Sequence, residues 1–253
     1  MPEFDYISFT TDYGLSDGFV AACHGVVARL APPVSVIDVT HLIAPGEVTR
    51  AAAVLAQTVP HLPPAVHLAV VDPGVGTQRR AVVLRTPQGL LVGPDNGVLI
   101  WAAEALGGIT DAFELSTPDS ASRTFHGRDV FAPAAARLAI GSQQRGSAVN
   151  PADLVRLPDP VIARGDGWIE AEVLTVDRFG NVQLAAPGSY WEQLPDSLTV
   201  GGCRAVRGET FADAAPGGLV VFTDSANHLA IAVNGGRAAV MLAVNPGDLV
   251  RIS

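Results

Sequence analysis

At 253 residues, 48% hydrophobic and 16% charged, the chain can bury a sizeable core in one or two domains. A formal net charge of −9 sets nucleic acid at a disadvantage, because backbone binding needs clustered Lys and Arg to displace counterions. No apolar run approaches the roughly 20 residues needed to span a bilayer, and Met1-Pro-Glu-Phe-Asp5 lacks a basic signal-peptide region, so the expected setting is cytoplasmic, with no membrane partner and a small-molecule ligand.

In chain order, Tyr6-Ile-Ser-Phe-Thr10 reads as a short strand that breaks at Thr11-Asp-Tyr-Gly14, and Phe19 to Leu30 carries helical apolar spacing. Cys23 and Cys203 are the only cysteines; far apart, they offer neither a metal-ligand spacing nor a disulfide framework and read as buried small hydrophobes. A second strand, Val34 to Val39, follows Pro32-Pro33, and Val48 to Val59 is Ala-rich and helical. Val66 to Val71 is almost wholly apolar, as in a central parallel strand covered on both faces. This alternation predicts an α/β domain with a mainly parallel sheet.

Two further apolar runs, Ala81 to Arg85 and Leu90 to Val92, precede Gly93-Pro-Asp-Asn-Gly97, where Asn96-Gly97 signals a tight turn. Phe131 to Ile140 is another Ala-rich helix. Gly141 to Arg164 reads as a long connection, which puts a boundary near residue 163 and gives domains 1–163 and 164–253. Beyond it, apolar runs at Glu170 to Val176, Ser197 to Val200, Gly218 to Phe222, Leu229 to Val233 and Asp248 to Ile252, punctuated by glycines, predict a smaller all-β, barrel-like domain.

Three polar clusters flank these apolar elements. Thr10-Thr-Asp12-Tyr-Gly follows the first strand and Asp72-Pro-Gly-Val-Gly-Thr-Gln-Arg79-Arg80 the third, at the carboxyl ends where open α/β sheets bind ligands; Thr124-Phe-His126-Gly-Arg128-Asp129 precedes a helix. Each also has an ordinary structural reading: a helix cap, a Pro-Gly turn, a charged loop. The two glycines at 74 and 76 exceed what one turn requires and permit close approach to a ligand. None of the clusters has a nucleotide-loop or HExxH spacing, so neither a metal nor a cofactor is expected.

Together and in this order, these motifs with Gly93-Pro-Asp-Asn-Gly97 and Asp177-Arg-Phe-Gly-Asn181 resemble the S-adenosyl-L-methionine (SAM) hydroxide adenosyltransferase family, the adenosine-forming SAM hydrolases related to fluorinating and chlorinating SAM enzymes. The resemblance runs from about Ile7 to the C-terminus. It implies a homotrimer with active sites where one subunit's N-terminal domain meets a neighbour's C-terminal domain, and attack of water or hydroxide on ribose C5′ to release L-methionine and adenosine. By motif position, Asp72, Arg79 and His126 correspond to the family's water-activating triad. Asp12 corresponds to the ribose-diol ligand, Asp177 and Ser225 to the partners of the methionine ammonium and carboxylate, and Asn181 and Phe211 to the adenine hydrogen-bonder and its apolar platform.

Two positions depart from the pattern. Gly46 stands where halogenating relatives pack a bulky residue on the ribose, and Asp224-Ser225 replaces Asn-Ser. A SAM halogenase and a non-catalytic SAM- or adenosine-binding module are the alternatives. An acid, a base and a guanidinium together exceed what binding alone needs.

Overall fold

The expected strand, loop and helix at the start of the chain form as β1 (Tyr6–Thr11) and α1 (Phe19–Leu30) in a computed structural model that describes residues 3–142 and 146–253. Part of the connection read from Gly141 to Arg164, residues 143–145, lies outside the described residues, as do Met1 and Pro2. The α1 N-terminus has no side-chain cap, so the helix is held by its apolar stripe, with Cys23, Val26 and Val27 buried at helical spacing. Burial pushes the Cys23 thiol up to about 12, which leaves it an inert small hydrophobe. Cys203 is only half-buried, against the second unit's core, because it starts a strand at a glycine turn.

The chain divides into two units, Met1–Leu157 and Pro158–Ser253. In the first, β2 (Ser35–Thr40), α2 (Val48–Thr58), β3 (Ala65–Val70), β4 (Ala81–Thr86), β5 (Gly89–Pro94), α3 (Ile100–Ala105), β6 (Asp111–Glu114), α4 (Ala132–Ala139) and β7 (Ala148–Val149) follow α1. Among the described residues the sheet has the order β2-β1-β3-β5-β4-β6-β7. Its β2-β1-β3-β5 half is parallel, whereas β4, β6 and β7 are antiparallel to their neighbours. All six residues of β3 are buried, because α1 and α4 cover one face of the sheet and α2 and α3 the other. Asn96-Gly97 turns the chain from β5 into α3, with Gly97 at φ +95°, rather than closing a hairpin.

The second unit runs β8 (Ile162–Gly165), β9 (Trp168–Val176), β10 (Val182–Pro187), β11 (Ser197–Val200), β12 (Cys203–Arg207), β13 (Leu219–Thr223), β14 (His228–Val233), α5 (Ala238–Leu242) and β15 (Leu249–Ile252). The order β10-β14-β13-β12-β11-β15-β9 closes on itself through β9–β10, forming a seven-stranded barrel among the described residues, with β8 added to β9. Ile169, Ala171 and Val173 alternate into a core shared with Leu184, Leu198, Leu229 and Ile231.

Candidate active site

Strand order sets the position of the site. The chain leaves β1 to place β2 on one side and β3 on the other, so the loops after β1 and β3 diverge and open a crevice at the carboxyl end of the sheet. Thr11 pairs in register with Val70, which brings Asp12 and the Val71-Asp72 segment to the two lips of that crevice. The 71–80 loop then enters β4 antiparallel to β5, with Ala81 opposite Pro94, so Arg79 and Arg80 return to the same edge.

Asp72 and Arg79 form a bidentate ion pair. Arg79 Nε donates to Asp72 Oδ1 at 3.1 Å and to Oδ2 at 3.0 Å, and Nη2 donates to Oδ2 at 2.5 Å. The side chains are only 5% (Asp72) and 11% (Arg79) exposed, and the guanidinium also lies over the Phe131 ring. The same Nη2 lies 2.9 Å from Nδ1 of His126, itself 8% exposed. A guanidinium carries no acceptor, so Nδ1 must be the unprotonated nitrogen and the neutral ring carries its hydrogen on Nε2. Burial, and then the Arg79 charge, hold the imidazole below its ordinary pKa of 6.5; Asp72 and Asp129 pull the other way. Of the three groups, Asp72 is the one with lone pairs to spare, since its carboxylate has about four acceptor positions and three contacts.

The two motif glycines also serve the packing of their own loop. A Cβ on Gly74 would stand 3.3 Å from Arg79 Cγ, and one on Gly76, at φ +79°, would stand 2.7 Å from the Arg123 carbonyl oxygen. They let the loop fold onto its own arginine and onto the 123–126 segment, while the N–H groups of Val75 and Thr77 are taken by turn carbonyls. His126 leads into a π-helical turn, Gly127–Phe131, ahead of α4. In it Arg128 and Asp129 pair with each other, and Asp129 accepts the Ser122 N–H, so the hydrogen bonds of both hold the turn. Arg80 and Asp95, in the same motifs, tie down the 153–155 segment: Arg80 binds Asp95 and the Asp153 carbonyl, and Asp95 accepts the Val155 N–H. Asn96 donates to the Val71 carbonyl, fixing the backbone just before Asp72.

Asp12 is half-buried, and its Oδ2 accepts the Gly46 N–H at 2.9 Å. Gly46 thus supports the carboxylate through its backbone. Tyr13 is a residue that sequence reasoning passed over. Its hydroxyl packs on Gly127, its ring stands edge-on to Phe125 and tilted against Phe19, and burial, then Cys23, Asp12 and Asp72, raise its pKa. The only signal for it was an aromatic ring beside Asp12 in an otherwise polar loop.

The remaining candidates lie in the second unit. Asp177 and Asn181 form the β9–β10 turn: Asp177 Oδ1 accepts the N–H groups of Phe179 and Asn181, and Oδ2 accepts the Asn181 side-chain amide at 2.8 Å. Ser225 is exposed in the β13–β14 turn beside Asp224. The Asp224 carboxylate accepts the Ala226 and His228 N–H groups and the Gln183 amide, so its charge is spent in the turn. Phe211 packs edge-to-face on Phe222, with ring centroids 5.3 Å apart. Asp177 and Asn181 are therefore in direct contact; Ser225 and Phe211 stand on separate segments of the barrel.

An α/β unit with a guanidinium-held carboxylate and a neutral imidazole at its switch point, followed by a β-barrel, describes a class of enzyme that activates a small nucleophile. The models for the N-terminal and C-terminal domains of SAM hydroxide adenosyltransferases match residues 7–147 and 171–251, and the chain belongs to that family. It is 63% identical to an "(R)-S-adenosyl-L-methionine hydrolase" of Salinispora arenicola, over 100% of this chain and 99% of the relative. A Salinispora tropica protein of the same name is 62% identical over 98% and 97%. A fluorinase from an Actinoplanes species is 28% identical over 98% of this chain and 97% of its own length. A crystal structure of an uncharacterized conserved protein from Thermotoga maritima superimposes with a TM-score of 0.89 at 36% identity, covering 97% of this chain and 99% of that one.

Proposed function

We propose that the protein hydrolyses (R)-S-adenosyl-L-methionine to adenosine and L-methionine. The observation that carries this reading is the contact of Asp72, Arg79 and His126 in one buried group at the switch point. Water is a poor nucleophile, with a pKa of about 15.7, so the site must favour its hydroxide character. His126 Nε2–H points its hydrogen bond at the water oxygen, and Asp72 accepts the proton as the oxygen attacks C5′. The C5′–S bond breaks, its electron pair goes to sulfur, and the sulfonium leaves as the neutral thioether of methionine. Arg79 holds the Asp72 carboxylate in place and sets the tautomer of His126. No step needs a metal or an organic cofactor.

Asp12 would hold the ribose diol. Asp177, Asn181, Phe211 and Ser225 would bind adenine and methionine, with the second unit of one copy serving the first unit of another in a homotrimer. Light scattering that finds a stable, active monomer refutes the trimer. Among the described residues no helix is long and apolar enough to cross a membrane, in keeping with a cytoplasmic site of action.

The deciding experiment supplies both sulfonium epimers in ¹⁸O-labelled water with molar chloride. Adenosine labelled at the 5′-oxygen, formed preferentially from the (R) epimer and in the presence of EDTA, is expected. Unlabelled adenosine or a 5′-chloro nucleoside as main product overturns the mechanism.

A further inference from the structure

A second cluster of chemistry-bearing side chains, separate from the triad, lies at the β2 edge of the first unit. His24 comes from α1, Asp38 from β2, and His41 follows the end of β2. Their nearest ligand atoms all fall within 4.8 Å of one another; Asp38 Oδ1 lies 2.9 Å from His24 Nε2 and 3.0 Å from His41 Nε2. The ring of His41 is 3% exposed, yet its Nε2 makes no hydrogen bond, because the nearby carboxylate oxygen lies in the wrong direction for one. A buried polar nitrogen left in that condition is costly, and native structures rarely tolerate it without a partner.

The surroundings are those of a built ligand. Thr11 Oγ1 lies 2.9 Å from His41 Nδ1, so a hydrogen donated from Nδ1 leaves the Nε2 lone pair free toward the cluster. Phe9, fully buried, packs edge-on against the His41 ring at 4.9 Å and against His24 at 6.0 Å, forming an apolar floor beneath both imidazoles. The His24 and Asp38 side chains are 36% and 43% exposed and free to adjust. A small shift brings the three atoms to the spacing of about 3.4 Å that bonds of about 2.1 Å impose on a tetrahedral ion.

We propose that His24, Asp38 and His41 form a divalent transition-metal site of the zinc class. Two imidazoles and one carboxylate suit zinc, cobalt or nickel; magnesium and calcium prefer all-oxygen shells. Three protein ligands leave one position for water. The ion ties α1 to the end of β2 and, through Thr11 and the hydrogen bond from Gly14 N–H to the His41 carbonyl, to the loop that carries Asp12. Its role is to brace this corner of the fold, since the proposed chemistry at Asp72 calls for no metal.

The test uses the full chain without a histidine tag, stripped with chelator and dialysed against zinc chloride. One zinc per chain by elemental analysis, visible absorption with cobalt in place of zinc, and a rise in melting temperature on zinc addition are expected. His24→Ala and Asp38→Asn, both at exposed positions, should abolish all three effects while keeping a native circular dichroism spectrum; Asp72→Asn should keep them. Substoichiometric zinc in the wild type, or full zinc in folded His24→Ala and Asp38→Asn, overturns the proposal in favour of a metal-free His–Asp–His hydrogen-bond network. Should either variant fail to fold, the cobalt spectrum of the wild type decides: imidazole-coordinated cobalt supports the site, and a spectrum of aqueous cobalt rejects it.

Discussion

Replacing Asp72 with Asn removes one charge from a pair that is almost wholly out of water. At a separation of 4 Å and an effective dielectric of 20, two unit charges attract by roughly 4 kcal/mol, and this pair is closer than that. The variant leaves the Arg79 guanidinium buried and unpaired, a situation that costs roughly 3–5 kcal/mol. For a chain of this size that is a fall in Tm of roughly 6–20 °C. The same change removes the proposed proton acceptor, which should lower kcat about 10²–10³-fold. Adding Arg79→Gln separates the two effects: the double variant has no stranded charge and should recover most of the lost Tm, while kcat stays as low as in Asp72→Asn alone. Adenosine release measured by chromatography gives kcat, and differential scanning fluorimetry gives Tm. Wild-type kcat in Asp72→Asn, or a double variant less stable than either single one, refutes this account.

Protonation of His126 sets the next expectation. Its pKa is held below 6.5, so the neutral ring that accepts from Arg79 predominates at pH 7, and kcat/KM should be flat near neutrality and fall only on the acid side of 6.5; an acid limb centred above 7 contradicts this. The buried His67, whose ring nitrogen lies 2.8 Å from Ser8 Oγ, is pushed down to about 4 by burial, so the unfolded chain takes up its proton first as pH falls. Stability should therefore decline between pH 6.5 and 4, by roughly 3 kcal/mol from this residue; a denaturation series in which His67→Gln declines as steeply as wild type removes His67 as the cause. At Gly127 a Cβ would stand 2.0 Å from the Tyr13 hydroxyl. Gly127→Ala should thus displace Tyr13 or the turn that carries His126, lowering kcat about 10-fold or more, with partial rescue by Tyr13→Phe, since misplacement by about 1 Å can cost that much; equal losses in the single and double variants count against the contact.

Much of the architecture was readable because burial writes itself into composition. The buried β3 and the apolar stripe of α1 stand out as residue patterns, and α1 begins and ends where its spacing does. The strands that escaped notice are β6, β7, β8, β10 and β12. Asp111–Glu114 carries two acids in four residues, Ala148–Val149 is two residues long, and Cys203–Arg207 carries arginines at 204 and 207, so none offers an apolar run. Asp72 and Arg79 share one glycine loop, seven positions apart, and could be read together. The link to His126, 47 positions from Arg79, depends on a π-turn that no local pattern announces. Arg80 and Asp95 look as reactive in sequence as Arg79 and Asp72, and only the strand register shows that they serve the connection at Asp153 instead.

The charge placed at the switch point also decides which nucleophile the site can hold. A halide must shed its hydration shell to reach C5′, and beside Asp72 it would meet a second anion at a cost of roughly 4 kcal/mol for a 4 Å separation at an effective dielectric of 20. Arg79 offsets part of that repulsion, but its Nε and Nη2 donate to the carboxylate and Nη2 also reaches His126, so these donors are not free to solvate a halide. Water pays no such penalty: it is neutral, accepts from an imidazole N–H and donates to a carboxylate at once. Rendering the acidic residue neutral would therefore not by itself create a halide site, since His126 would still present one polar hydrogen shaped for an oxygen and Arg79 would be left buried and unpaired. On the proposed mechanism a change of nucleophile has to alter Asp72, Arg79 and His126 together, because Arg79 contacts both of the other two.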